Sequence, residues 1–389
     1  MRFRHRDGST VHLAYCTNVH PAETLDGVLA QLREHCEPVR RRLGRDRLGI
    51  GLWLAAPVAR TLDGDPAALR CLRTELDRRG LEVVTLNGFP YEGFGAQEVK
   101  YRVYRPDWAD PERLEHTLAL ARVLTRLLPD DVTEGTLSTL PLAWRTAHDD
   151  RRAARSRAHL AELGRTLDEL AEATGRSVRV GLEPEPGCVI ETTADAIAPL
   201  TALDHPRLGV CADTCHMATS FEEPAPALAA LDAAGLRIVK AQLSTALHAE
   251  HPAHPDTRAA LAAYDEPRFL HQTRTRTAGA LHATDDLGPA LDGAALPHDS
   301  AWRAHFHIPL HAAPAAPLTS TLDVLDEALG ALVGGERPLT GHLEVETYTW
   351  PQLPGAARPR DADRLADGIA AELATARDLL TAHGLKELT

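Results

Sequence analysis

Residues that can bind a metal or move a proton recur along this chain at a nearly constant interval, each closing a short apolar run. The runs are RVGLEPE (179–185), GVCADTCH (209–216), IVKAQLS (238–244), HFHIPLH (305–311) and HLEVETYTW (342–350). Glu183 and Asp213 lie 30 residues apart, and Asp213 and Gln242 lie 29 apart. One strand followed by one helix needs about 30 residues. Side chains that recur once per such unit, always at the strand's end, meet at one mouth of a closed (β/α) barrel.

The rest of the chain keeps the same rhythm. Eight strand-like runs are legible: Val11–Thr17, Leu48–Leu54, Leu81–Leu86, Thr136–Leu140, Val178–Glu183, Leu208–Asp213, Arg237–Leu243 and His342–Thr347. A ninth alternating run covers Ala304–Leu310. Helical patterns fall between them. Asp65-Pro66 and Asp110-Pro111 each set an N-cap before a proline at the first helical position. Leu160, Leu163, Leu167 and Leu170 form a stripe at helical spacing that Gly175 ends. The alternation predicts a parallel sheet with helices outside it. At 389 residues the chain suits one (β/α)8 barrel with insertions, a single domain over 1–389. Long stretches after the third strand (90–107) and the seventh (245–300) break the rhythm. The latter is read as a mouth-side insertion at about 245–303, and loops of this length tend to carry function.

Strand side chains alternate faces. Val178, Val180 and Leu182 oppose Gly181 and Glu183; Leu343 and Val345 oppose His342, Glu344 and Glu346. The inward set at the strand ends is therefore Glu183, Asp213, Gln242 and Glu346. Lys240 and Glu344 fall one pleat lower on neighbouring strands, which predicts a buried ion pair. A buried charge without a partner costs several kcal/mol or more. Glu183, Asp213 and Glu346 remain after that pairing, and a divalent cation would neutralise them. Beside them, Asp213-x-x-His216 brings an imidazole to the mouth, and His305 and His307 alternate on one face with His311 further on. His20 follows the first strand and Asn87 ends the third, where each could line the mouth. Glu185 sits two residues beyond Glu183.

Composition excludes several functions. A formal net charge of -13 repels phosphate backbones, so no nucleic-acid partner is expected. No apolar run approaches the ~18–20 residues of a membrane span. MRFRHRDGST is basic but lacks an apolar core, so no secretory signal is expected. Six cysteines without paired spacing predict a reduced, cytoplasmic protein. No G-x-G-x-x-G, P-loop or G-x-S-x-G occurs between a strand and a helix.

Glu183, Asp213-x-x-His216, Gln242 and Glu346 resemble the metal set of the xylose isomerase-like TIM barrels. Where that superfamily usually has His, this chain has Gln242; His307, with His305, is placed to compensate. The resemblance implies a divalent metal, zinc or manganese first, on Glu183, Asp213, Gln242, His307 and Glu346. The runs YCTNVHP, LNGFPYEGFGAQEVKYRVYRPDW, TLSTLPLAWR, GLEPEPGC, ADTCHMA, KAQLS, EPRFLHQTR, HFHIPLH and LEVETYTW are similar to the EboE-like metabolite traffic family, over nearly the whole chain. That resemblance implies a TIM-barrel protein of an operon that makes and exports a specialised metabolite, in contact with other pathway proteins. The expected activity is an isomerisation or epimerisation of a small polar, sugar-like or cyclitol-like molecule, phosphorylated in one version. Glu183 and Glu346 would act as base and acid, with His216 orienting. His20, Asn87, Glu185, Lys240, His305, His311 and Arg274 are the expected substrate contacts, Arg274 over a phosphate. The alternatives are a non-catalytic metabolite-binding or handover protein on the same barrel, and a metal-dependent phosphoesterase.

Overall fold

A computed structural model describes residues 1–293 and 295–388. Eight parallel strands close on one another: β2 (Thr10–Cys16), β3 (Leu48–Trp53), β4 (Leu81–Asn87), β5 (Glu134–Thr139), β6 (Ser177–Leu182), β7 (Leu208–Asp213), β8 (Arg237–Leu243) and β14 (His342–Val345). β14 pairs with both β8 and β2, which completes the barrel. Two short antiparallel strands, β1 (Arg2–Arg4) and β15 (Lys386–Leu388), extend the sheet beyond β2. The eight predicted strands are the eight barrel strands: Leu208–Asp213 and Arg237–Leu243 coincide with β7 and β8, and the other six have ends shifted by one or two residues. Glu183 and Glu346 lie just past β6 and β14 rather than inside them.

Alternation decides what each strand buries. Val178, Val180 and Leu182 pack outward into one continuous aliphatic core, each all but fully buried. Burying side chains of this size contributes roughly 1.5–3 kcal/mol each. The opposite rows point to the barrel axis, where space is short. Gly51 on β3 is required there, because a Cβ at that position would collide with Glu344 Oε1. Among the described residues, no helix is long and apolar enough to cross a membrane.

The segment after β8 differs from its sequence reading. It builds a second sheet from β9 (Leu247–Ala249), β10 (Thr273–Thr277), β11 (Ala280–Thr284), β12 (Trp302–Ala304) and β13 (Thr319–Ser320), in the order β11-β10-β12-β9-β13. β9, β12 and β13, of two or three residues, are too short to show a period. β10 and β11 form a hairpin whose two loop residues, Ala278 and Gly279, have φ of 49° and 85°. Two left-handed residues in a two-residue loop are what tight hairpins require. Of the ninth alternating run, Ala304–Leu310, only Ala304 is strand, the last residue of β12. Residues 305–309 run on without regular structure, pinned by His305 N–H to the Gln272 carbonyl at 2.9 Å and Ile308 N–H to the Thr245 carbonyl at 2.8 Å.

Candidate metal centre

Three carboxylates converge at the C-terminal mouth of the barrel. Glu183, Asp213 and Glu346 each offer an oxygen within 4.8 Å of the other two, and all three are buried. Their bonding is one-sided. Asp213 caps the helix Thr214–Thr219, its Oδ1 accepting from Cys215 N–H (2.7 Å), His216 N–H (3.0 Å) and Ser244 Oγ (2.8 Å). Glu346 Oε1 accepts from the side-chain amides of Asn18 (2.6 Å) and Asn87 (2.9 Å). The second oxygens, Asp213 Oδ2 and Glu346 Oε2, have no partner, and neither has Glu183 Oε2. Gln242 is fully buried beside them, and both its amide atoms are unpartnered too. Burial, and then repulsion from the other acids, pushes the Glu183 and Glu346 carboxyls well above the usual range.

Three histidines stand against this ring. His216 Nδ1 faces the Pro184 carbonyl at 2.7 Å, and His307 Nδ1 faces the Glu346 carbonyl at 2.6 Å. A carbonyl only accepts, so each Nδ1 carries the proton. His305 Nδ1 lies 2.8 Å from Gln272 Oε1. The Gln272 amide is oriented by its own partners. Its Nε2 donates to the Pro186 carbonyl (2.9 Å) and Glu185 Oε1 (3.1 Å), which leaves Oε1 to accept from His305. In neutral rings all three Nε2 atoms are therefore lone pairs, and among the described residues only His305 has a hydroxyl in reach, Tyr348 Oη at 3.4 Å. Yet His216 Nε2 and His305 Nε2 are 3.1 Å apart, and so are His305 Nε2 and His307 Nε2. Glu185 Oε2 is 3.1 Å from His216 Nε2, and Asp213 Oδ2 is 3.9 Å from it. Burial lowers His305 well below the ordinary histidine range and His307 to about 4, so neither ring readily takes a proton. Acceptor facing acceptor is repulsive unless a cation or an added proton sits between. Nitrogens bound ~2.0–2.1 Å from one tetrahedral zinc ion lie about 3.3–3.4 Å apart, so the 3.1 Å spacing is within a few tenths of an ångström of a shared ion's.

The family model described as "Xylose isomerase-like TIM barrel" matches residues 49–261, more than half of the chain. The chain belongs to the xylose isomerase-like TIM barrel family. No curated protein sequence matches it. Solved structures of similar fold include D-allulose 3-epimerase from Methylomonas sp., at 14% identity and a TM-score of 0.51, covering 98% of this chain and 100% of that one. Another is a xylose isomerase-like TIM barrel protein from Mycobacterium smegmatis in complex with magnesium: 14% identity, TM-score 0.49, 95% and 98% coverage. A third, named IOLI, holds a zinc atom: 13% identity, TM-score 0.48, 96% and 99% coverage. At these identities the likeness is one of fold.

Above the acids and histidines of this family member opens a narrow cleft. Glu183, Glu185, His216, His305, His307, Glu346 and Asn87 line it, while Asp213 and Gln242 lie beneath. Four expected substrate contacts do not reach it. His20 is turned away by the tight turn Thr17–Val19 and stacks on His35, ring centroids 4.0 Å apart. Arg274 is fully buried, its guanidinium on Glu191 (2.7 Å) and the Thr284 carbonyl (2.7 Å), so it cannot close over a phosphate. His311 is exposed and stacks on Trp350 on an outer face, because the segment after β12 has already left the mouth. Lys240 pairs with Glu344 below the acids, as the alternation of faces predicts. That ion pair runs diagonally, because the register sets Glu344 beside Gln242 and Lys240 beside Cys211.

Other residues of the site escaped the sequence reading. Tyr104 donates to Glu185 Oε1 at 2.7 Å and accepts from Gln272 Nε2 at 2.8 Å. Tyr348 lies over His307 with ring centroids 4.7 Å apart. Asn18 holds Glu346. Each belongs to a run noted for its composition, but its partner is distant in sequence and no periodicity announces the contact.

Proposed function

We propose that the protein is a metal-dependent isomerase or epimerase of a small hydroxylated carbonyl compound. Two cation positions are supported by the unpartnered atoms. Glu183, Asp213, Gln242 and Glu346 would hold one, an oxygen-rich set suited to manganese. Glu185, His216, His305 and His307 would hold the other, an imidazole-rich set suited to zinc. Asp213 stands between them. A bound divalent ion supplies Lewis-acid polarisation of a carbonyl or hydroxyl oxygen.

The chain's own residues supply the proton transfer. The observation that carries the reading is the unequal environment of two cleft-lining acids, a pattern that separates acid from base. Both are buried and face the other acids, but Glu346 receives two amide hydrogen bonds, which favour its ionised form, and Glu183 receives none. Glu346 is then the base that removes a proton next to the carbonyl, and Glu183 the acid that returns one. Delivery to the opposite face inverts the carbon. His216, held by the Pro184 carbonyl, orients the substrate oxygen. Epimerase chemistry in the similar D-allulose 3-epimerase agrees with this reading.

The EboE-like resemblance supports a place in a specialised-metabolite pathway, in the cytoplasm and in contact with its other proteins. Incubating metal-loaded protein with ketoses and cyclitol ketones in D2O tests the chemistry. Loss of one C–H proton is expected with wild type and not with Glu346→Gln, which should keep its fold. Equal exchange by both proteins would sink the assignment. Gln242 favours a second reading, a binding or handover protein, because a neutral amide adds no charge to the site. Stoichiometric metal that Asp213 substitution removes supports the enzyme; a metal-free, folded wild type supports the carrier. A phosphoesterase is disfavoured: Lys100 is the one cation among the described residues lining the cleft, and it is paired with Asp286.

A further inference from the structure

The floor and the roof of the cleft have opposite chemistry. Every unpartnered polar atom described above lies at or below the floor. The roof is built from Phe89, Phe94, Val99, Val103, Phe269 and Leu270. Three of the chain's six phenylalanines are in this one surface. Phe94, Phe269 and Tyr348 pack against one another, with ring centroids 5.2, 4.9 and 5.5 Å apart. They come from three separate segments: the loop after β4, the insertion before β10, and the end of β14. Backbone bonds stitch two of these together. The Arg268 carbonyl accepts from Val99 N–H (2.8 Å) and Lys100 N–H (3.0 Å), and Arg268 Nη2 donates to the Phe94 carbonyl (2.7 Å).

The polar groups nearest the roof are already engaged. The Asn87 amide holds Glu346 and accepts from Phe89 N–H at 3.0 Å. Tyr104 OH sits between Glu185 and Gln272, and Lys100 is on Asp286. The Tyr348 hydroxyl lies toward the floor, 3.4 Å from His305 Nε2, so a polyol extending upward would place hydroxyls against Phe89, Phe94 and Phe269, rings that cannot bond them. Each such hydroxyl left without a partner costs roughly tenfold in affinity or more.

We propose that the substrate is amphipathic: an uncharged molecule with oxygen substituents at one end, for the floor, and a flat hydrocarbon or aromatic ring at the other, for the roof. This rests on the floor being the metal-holding site proposed above, and it narrows the substrate from a free sugar to an oxygenated ring compound without phosphate.

Calorimetry on metal-loaded protein with 2,3-dihydroxynaphthalene and myo-inositol tests it. The naphthalene diol is expected to bind at least about a hundredfold more tightly, with a negative heat-capacity change. Phe269→Ala should weaken that probe about tenfold and leave inositol binding and metal content unchanged. Inositol binding as tightly as the diol in wild type overturns the proposal whether or not the variant folds. So does unchanged diol affinity in folded Phe269→Ala. Elemental analysis of the same samples keeps the two readings separate. If wild type holds no metal, the metal reading fails alone, and 2-naphthol against myo-inositol on that protein still decides the substrate class by the same ranking.

Discussion

Two layers of polar residues stand one above the other inside the barrel, and β8 and β14 contribute to both. In the lower layer Lys240 meets Glu344, and His342 meets the Thr136 hydroxyl, which in turn donates to Thr85. In the upper layer Glu183, Asp213, Gln242 and Glu346 turn bare atoms toward one another, and three histidines do the same beside them. The lower layer brings its own counter-charge; the upper one leaves its charge open. Burial is equally deep in both, so burial alone does not mark the site. What marks it is buried charge whose compensation is not supplied by the chain.

The layers should therefore respond to mutation with opposite signs. The largest effect is expected below. Lys240→Met leaves Glu344 charged and alone, at a cost of about 3–5 kcal/mol of stability, whereas Lys240→Met with Glu344→Leu should return close to wild type. Chemical denaturation measures both; a silent single variant would refute the pairing as the reason for the charge. Above, Asp213→Asn keeps the oxygen that caps the helix but removes a charge next to both cation positions. Metal affinity should fall at least a hundredfold, about 3 kcal/mol, by competition with a chelator. The metal-free variant should be more stable than metal-free wild type, because repulsion is relieved. A destabilised metal-free variant would show that the acids are compensated from within the chain after all.

The upper layer was legible where geometry is periodic and obscure where it is not. Glu183, Asp213 and Glu346 follow from strand parity and the repeat of about 30 residues. His305 and His307 were found as alternate positions of an apolar-polar run; no sheet continues past Ala304, yet their Nε2 atoms lie 3.1 Å apart. Loop contacts carry no such rule. His20, Arg274 and His311 are near the mouth in sequence, yet a tight turn, a partner in Glu191 and an outward course take them elsewhere. Gln272 was missed because it lies 33 residues from the histidine it orients. The insertion's sheet had one readable signal, the alternation of TRTRTAGALHAT about Ala278-Gly279, and it went unread.

Gln272 offers a smaller test of the upper layer. Gln272→Leu removes the acceptor that fixes the His305 tautomer and a donor to Glu185. Zinc affinity at the histidine side should drop about 10–100-fold, with manganese binding at the acids nearly unchanged. Equal losses of both metals would mean that the two positions are one.

The smallest expected effect is in pH. His12 on β2 packs beside His342 in the lower layer, ring centroids 5.4 Å apart, and burial lowers it from 6.5 to about 3. Between those values the unfolded chain binds a proton that the folded chain refuses, so His12 stabilises above pH 6.5 and that contribution is lost as pH falls. The loss from pH 6.5 to 5.5 is about 1 kcal/mol. Glu183 and Glu346 act in the opposite sense in the metal-free protein. Their raised folded values mean that acidification toward pH 4.5 protonates the folded ring first and relieves its repulsion. Burial lowers His20, His116, His305, His307 and His342 in the same sense as His12, so thermal melts of metal-free wild type should show stability falling as pH drops from 6.5 to 5.5, with the acids opposing part of the fall. His12→Leu should make that fall shallower by about 1 kcal/mol, and Glu183→Gln with Glu346→Gln should make it steeper. If both variants kept the wild-type profile, the titration of neither layer would be coupled to folding, and the contrast between them would be one of geometry alone.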